Sequence, residues 1–182
     1  MLINNKNFSL VVFIFISLYF FNNYLEISSQ NTLPINDELG YIGEGIHLRD
    51  ISYDFREIIN RNRTPFLPLV ISFLAQSKTS LVQYSQEYIE LYRESQIAII
   101  LIVCFINFFS FLKMKKSFKF NYIVLFFFIY LYSIPLTAQI TEVVVEPIFM
   151  SLYLLFIISV FEVKDSVNKK EYIIMGFVGG IL

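Results

Sequence analysis

The chain has 182 residues, 56% of them hydrophobic and 18% aromatic, with 21 Phe, 12 Tyr and no Trp. Its mean hydropathy of +0.61 excludes an ordinary soluble domain, because a chain of this size has too little interior to hide so much apolar surface. A formal net charge of −1 leaves no basic patch for nucleic acid, and a single cysteine, Cys104, excludes an intrachain disulfide and a cysteine-based metal site.

The first apolar run covers residues 8–25 and is long enough to span a hydrocarbon core of roughly 30 Å. Only Lys6 precedes it and no small-x-small cleavage site follows, so it reads as a retained helix, with a cleaved secretory signal as the alternative. Residues 26–94 form a long polar and amphipathic stretch. Within it Leu39, Ile42, Ile46, Ile51, Phe55, Ile58 and Ile59 recur at near-helical spacing, which predicts one or two amphipathic helices on a membrane surface. Gly40, Gly43 and Gly45 oppose the first half of that helix. Arg63-Thr64-Pro65-Phe66-Leu67-Pro68 follows. The apolar residues 69–75 are too few to cross, and suit a short helix dipping into the interface.

Further apolar runs cover residues 95–112, 120–138 and 143–161, and another begins at Tyr172 and stops at Leu182. Lys113, Lys115, Lys116 and Lys119 fill the turn after the second run; Lys164, Lys169 and Lys170 fill the turn after the fourth. By the positive-inside rule both turns are cytoplasmic, which places residues 26–94 and the turn at 139–146 outside. The resulting expectation is an all-α polytopic membrane fold of about five transmembrane helices, with surface helices in the first outer loop. Because the chain stops inside the fifth run, it reads as the N-terminal part of a longer protein, inactive alone.

Several residues are candidates for chemistry. Asp37 and Glu38, adjacent acids beyond the first run, are able to accept a proton, orient a hydroxyl or hold a divalent cation; equally, Asn36 or Asp37 serves as a helix cap. Glu142 and Glu146 stand at the outer end of the fourth run, where a carboxylate usually faces a polar cavity or partner, or simply sits at a helix N-terminus. Pro147 suits such a helix start. Arg56, Arg61, Arg63 and Arg93 are suited either to phosphate or to pairing with Asp50, Asp54, Glu57 and Glu90; Arg63 and Arg93 are the two kept for phosphate. His47 is the only histidine, so no zinc motif exists. Asn62-Arg63-Thr64 matches a glycosylation acceptor, and Gly176-x-x-x-Gly180 a helix-packing face.

The ordered set of Asp37-Glu38 after the first run, then Arg63 to Pro68, then Glu146-Pro147 opening a later helix resembles the membrane-embedded GT-C glycosyltransferases. The nearest branch holds the protein O-mannosyltransferases and the lipid A aminoarabinose transferases. The resemblance implies transfer of a sugar from a polyprenyl-phosphate donor to a lipid, glycan or protein acceptor at the outer membrane face, with inversion at the anomeric carbon. On that reading Asp37 is the catalytic base and Glu38 supports it. Glu146 lines the cavity, and Arg63 or Arg93 steadies the donor phosphate. Family members have more crossings and a further donor- or acceptor-binding region. A non-catalytic membrane assembly subunit and part of a lipid or polysaccharide transporter are the competing readings; no broken-helix pair or inverted repeat favours the latter. The Asn-, Lys- and Ile-rich composition points to an AT-rich bacterial genome, which makes the inner membrane the expected location and the periplasm the outer side.

Overall fold

The computed structural model of the chain describes residues 5–29, 33–34, 37–51, 65–79, 81–114, 120–131, 142–165 and 176. Those residues are helical apart from short turns, and no strand occurs among them. The helices are α1 (Asn5–Ser29), α2 (Asp37–Asp50), α3 (Phe66–Ala75), α4 (Gln86–Met114), α5 (Phe120–Leu131) and α6 (Glu146–Asp165). The expected surface helix beyond Ile51, Arg63, the lysines at 115–119 and 169–170, the end of the third run and nearly all of the fifth lie outside the described residues.

Among the described residues, Phe8–Ser29 and Gln86–Met114 are long and apolar enough to cross a membrane; Phe66–Ala75 and Glu146–Val160 are shorter apolar helices. The chain divides into two compact units. One comprises Met1–Asn22, Leu101–Ala138 and Glu146–Leu182, the other Asn23–Ile100 and Gln139–Val145.

In the first unit each helix turns a narrow seam inward. On α1 the buried seam is Phe8, Val12, Ile16 and Tyr19, at helical spacing, while Leu10, Phe13, Ile14, Leu18 and Phe21 are all at least 47% exposed. On α4 the exposed side carries Leu101, Phe105 and Phe109, whereas the buried side carries the polar Asn107 and Ser110. Large apolar side chains thus lie on the outer side as well as in the buried seam, unlike a soluble helix bundle, whose outer side is polar.

One of those inward polar groups, Asn107, joins α4 to α6. Asn107 Nδ2 donates to its own helix at Val103 O (2.9 Å) and to Ser151 Oγ (3.0 Å), and Ser151 Oγ donates to Pro147 O (2.9 Å). Further along both helices, Lys113 Nζ donates to Ser159 Oγ at 3.1 Å. Because both contacts advance in the same chain direction, this part of α4 runs parallel to α6. Parallel neighbours need a return path between them, and α5 lies in that connection.

In the second unit α2 packs on α3. α2 buries Glu38, Tyr41, Ile42, Gly45 and Leu48; α3 buries Leu67, Pro68, Ile71, Ser72 and Ala75. Gly45 makes the close approach possible: a Cβ there would fall 2.5 Å from Ile71 Cγ2 and 3.1 Å from Pro68 O. Pro68 sits in the first turn of α3, where its missing N–H breaks no helical bond. The other end of α3 is closed from α2: Arg49 Nη1 donates to Ala75 O (3.1 Å) and Lys78 O (3.2 Å), a cation at the negative end of a helix dipole.

The segment between α3 and α4 is tied back onto α4. Lys78 Nζ bonds Glu94 Oε1 at 2.8 Å and Glu90 Oε2 at 3.3 Å, while Thr79 donates from its backbone N (2.7 Å) and its hydroxyl (3.0 Å) to the Glu87 carboxylate. Ser85 caps α4, its Oγ accepting from Tyr88 N at 3.3 Å. Just before it, Tyr84 takes φ 65°, a left-handed conformation costly for a bulky side chain. These contacts help explain why α4 begins at Gln86, well ahead of the apolar run at residue 95: its charged first turns are held by caps and ion pairs as well as by the buried Tyr88, Leu91 and Tyr92.

Candidate functional site

Asp37 and Glu38 open α2, where two carboxylates complement the positive end of the helix dipole. Their surroundings differ sharply, because consecutive helical residues point about 100° apart. Asp37 is exposed, and Glu38 is only 5% exposed. A buried carboxylate needs donors, and Glu38 has them. Its Oε1 accepts from the Tyr92 hydroxyl at 2.8 Å and from the Val143 backbone N at 2.9 Å. One oxygen therefore ties together α2, α4 and the turn that precedes α6. The acid pair is split into a buried member, Glu38, and an exposed one, Asp37.

Of the other site residues read from the sequence, Arg93 lies on α4 beside Tyr92 and is half-buried. Arg63 lies outside the described residues. Glu146 is the first residue of α6, is exposed, and belongs to the first unit; Glu142 is exposed in the turn before it. His47 sits half-buried in the last turn of α2. Among the described residues no group of three or more His, Cys, Asp or Glu is placed to hold a metal ion. Asp37 and Glu38 would offer such an ion two carboxylates, with one Glu38 oxygen already accepting two hydrogen bonds.

Two participants escaped the sequence reading. Tyr92 stands in a polar stretch with no local mark, and Val143 contributes only its backbone. The intrahelical polar residues Asn107, Ser151 and Ser159 did carry a usable signal: isolated polar side chains inside apolar runs mark helix–helix contacts in membranes.

No protein-family model matches the chain, and no curated protein or solved structure matches it either.

Proposed function

We propose that the chain is a multi-pass membrane protein that transfers a sugar from a polyprenyl-phosphate donor to an acceptor hydroxyl at the extracytoplasmic face. The observation that carries this reading is the Tyr92–Glu38 bond. Tyr92 precedes the apolar run of α4 by less than one helical turn, so the acid pair is tied to the level where a lipid-linked sugar phosphate meets water. α4 itself, of 29 residues, is long and apolar enough to cross a hydrocarbon core.

The membrane reading has further support. Large apolar side chains are exposed along α1 and α4. The parallel arrangement of α4 and α6 sets the basic residue near the end of each helix, Lys113 and Lys164, at one end of the pair, as the positive-inside rule asks of a cytoplasmic face.

In the proposed reaction the exposed Asp37 carboxylate takes the proton of the acceptor hydroxyl. The freed oxygen attacks the anomeric carbon, and the bond from that carbon to the phosphate oxygen breaks. The electron pair leaves with the polyprenyl phosphate, and the configuration inverts. Glu38 holds the start of α2 in place and is a positioning residue. Arg93, with Arg63 from the sequence reading, balances charge on the departing phosphate, and Glu146 remains a substrate-binding candidate.

The test is transfer from a radiolabelled polyprenyl-phosphate sugar into extractable acceptors by native membranes that hold the protein. The Asp37→Asn variant should lose at least about a hundredfold in rate while keeping its helicity, the scale expected for a lost general base. A second reading, a non-catalytic assembly subunit, draws on the engagement of Glu38 with two donors in its own unit. Donor turnover absent from the wild-type chain, or unchanged by Asp37→Asn, would favour it.

A further inference from the structure

We propose that α3 is a lipid-inserted interfacial helix: its outward face lies among the headgroups and upper acyl chains, and the partner it fits is the bilayer surface itself. This inference rests on the membrane reading above and adds a second contact with the bilayer, made by a helix too short to cross.

The two helices of the α2–α3 pair present different outer faces. α3 has no charged residue, and its one hydroxyl, Ser72, is buried and donates to Leu69 O at 2.6 Å. Its outward side is Phe66, Leu69, Val70 and Phe73, with Phe73 63% exposed. A helix of ten residues is about 15 Å long, half of what a crossing needs. α2 differs: its exposed positions are Asp37, Gly43 and Asp50, with Glu44 half-buried beside Leu39 and Ile46. The pair therefore carries its exposed charges on α2 and its exposed apolar side chains on α3, the division expected of an element lying at an interface.

The height of α3 is set independently. Arg49 holds the carbonyls at its C-terminal end, and Lys78, beyond that end, is bonded to Glu94 at 2.8 Å. Glu94 immediately precedes the apolar run of α4. The end of α3 is thus tethered where α4 passes from polar to apolar. Since α2 is packed on α3 through Gly45 and Ile71, an inserted α3 also holds the Asp37-Glu38 end of α2 near the headgroups.

The chain has no Trp, so single-Trp variants report depth directly. The experiment compares Phe73→Trp, Phe105→Trp on the exposed side of α4, and Glu44→Trp on α2. Each full-length chain is placed in phosphatidylcholine vesicles containing lipids brominated either near the headgroup or near the chain ends. Phe73→Trp should lose about half or more of its emission to the shallow bromine and less to the deep one, the depth of an interfacial helix. Phe105→Trp should respond most to the deep bromine, and Glu44→Trp to aqueous iodide alone. If Phe105→Trp is quenched by bromine and Phe73→Trp is not, α3 is covered by protein or by water and the proposal fails while the membrane reading stands. If neither is quenched, both fail. Phe66→Trp, on the same face, serves if Phe73→Trp does not fold.

Discussion

The Tyr92 hydroxyl donates to Glu38 Oε1 at 2.8 Å, joining residues 54 positions apart through a buried, charge-assisted hydrogen bond. This contact locks the start of α2 onto α4 and accompanies the burial of Glu38, while Asp37 stays exposed. Tyr92→Phe should lower unfolding stability by about 1.5–3 kcal/mol, the usual worth of a bond to a charged group. Glu38→Gln, which keeps an acceptor oxygen, should be milder than Glu38→Ala, which orphans both donors at about 1–3 kcal/mol each. Denaturant titration in detergent micelles, followed by helicity, gives the order; equal losses from Gln and Ala would contradict the geometry.

The two glycines of α2 should behave oppositely. A methyl group at Gly45 would meet Ile71 and Pro68 O inside van der Waals distance, whereas one at Gly43 meets nothing within 4 Å. Gly45→Ala should therefore cost about 1–3 kcal/mol by forcing α2 and α3 apart. Gly43→Ala should stabilise by about 0.5–1 kcal/mol through helix propensity. Melting temperatures of the two variants measured side by side suffice; a stabilised Gly45→Ala would mean the helices do not pack this closely.

The α4–α6 contact predicts measurable coupling between distant helices. Asn107 and Ser151 are both fully buried and bonded at 3.0 Å. In a double-mutant cycle of Asn107→Ala and Ser151→Ala, a coupling energy of about 0.6–1.7 kcal/mol is expected, the range found for polar contacts between membrane helices. Additive losses would remove the contact from the fold.

Lys78 supplies a pH dependence. Its ammonium is held above the ordinary value of 10.5, chiefly by the hydrogen bond to Glu94; burial works the other way, and Glu90 adds to the rise. A raised lysine pKa means the folded chain binds this proton more tightly than the unfolded one. The stabilisation is therefore complete below the ordinary value and is lost as pH climbs through the raised one. Stability of the wild-type chain should fall more steeply than that of Lys78→Met above about pH 10.5. Parallel slopes for the two proteins would show that the tether contributes nothing.

Much of the helical layout was legible in the sequence, for a local reason. Apolar runs, the acids that open α2, Pro147 near the start of α6 and the uncharged stretch of α3 act within a few residues, and summed propensity and hydropathy report them. The candidate site was legible only in part. Adjacent acids marked the start of α2, but nothing in the local pattern told Asp37 from Glu38. Glu38 is buried because Tyr92 and the backbone of Val143, 54 and 105 positions away, bring it donors. The same holds for Gly45, which reads as a poor helix residue until Ile71 is set against it. It holds as well for the parallel course of α4 and α6, fixed by Asn107 with Ser151 and Lys113 with Ser159. By itself the sequence determined which runs are apolar and where α2 and α6 open. Only the tertiary structure decided which polar groups are satisfied and by whom, because a buried group's energy depends on partners that chain distance does not reveal.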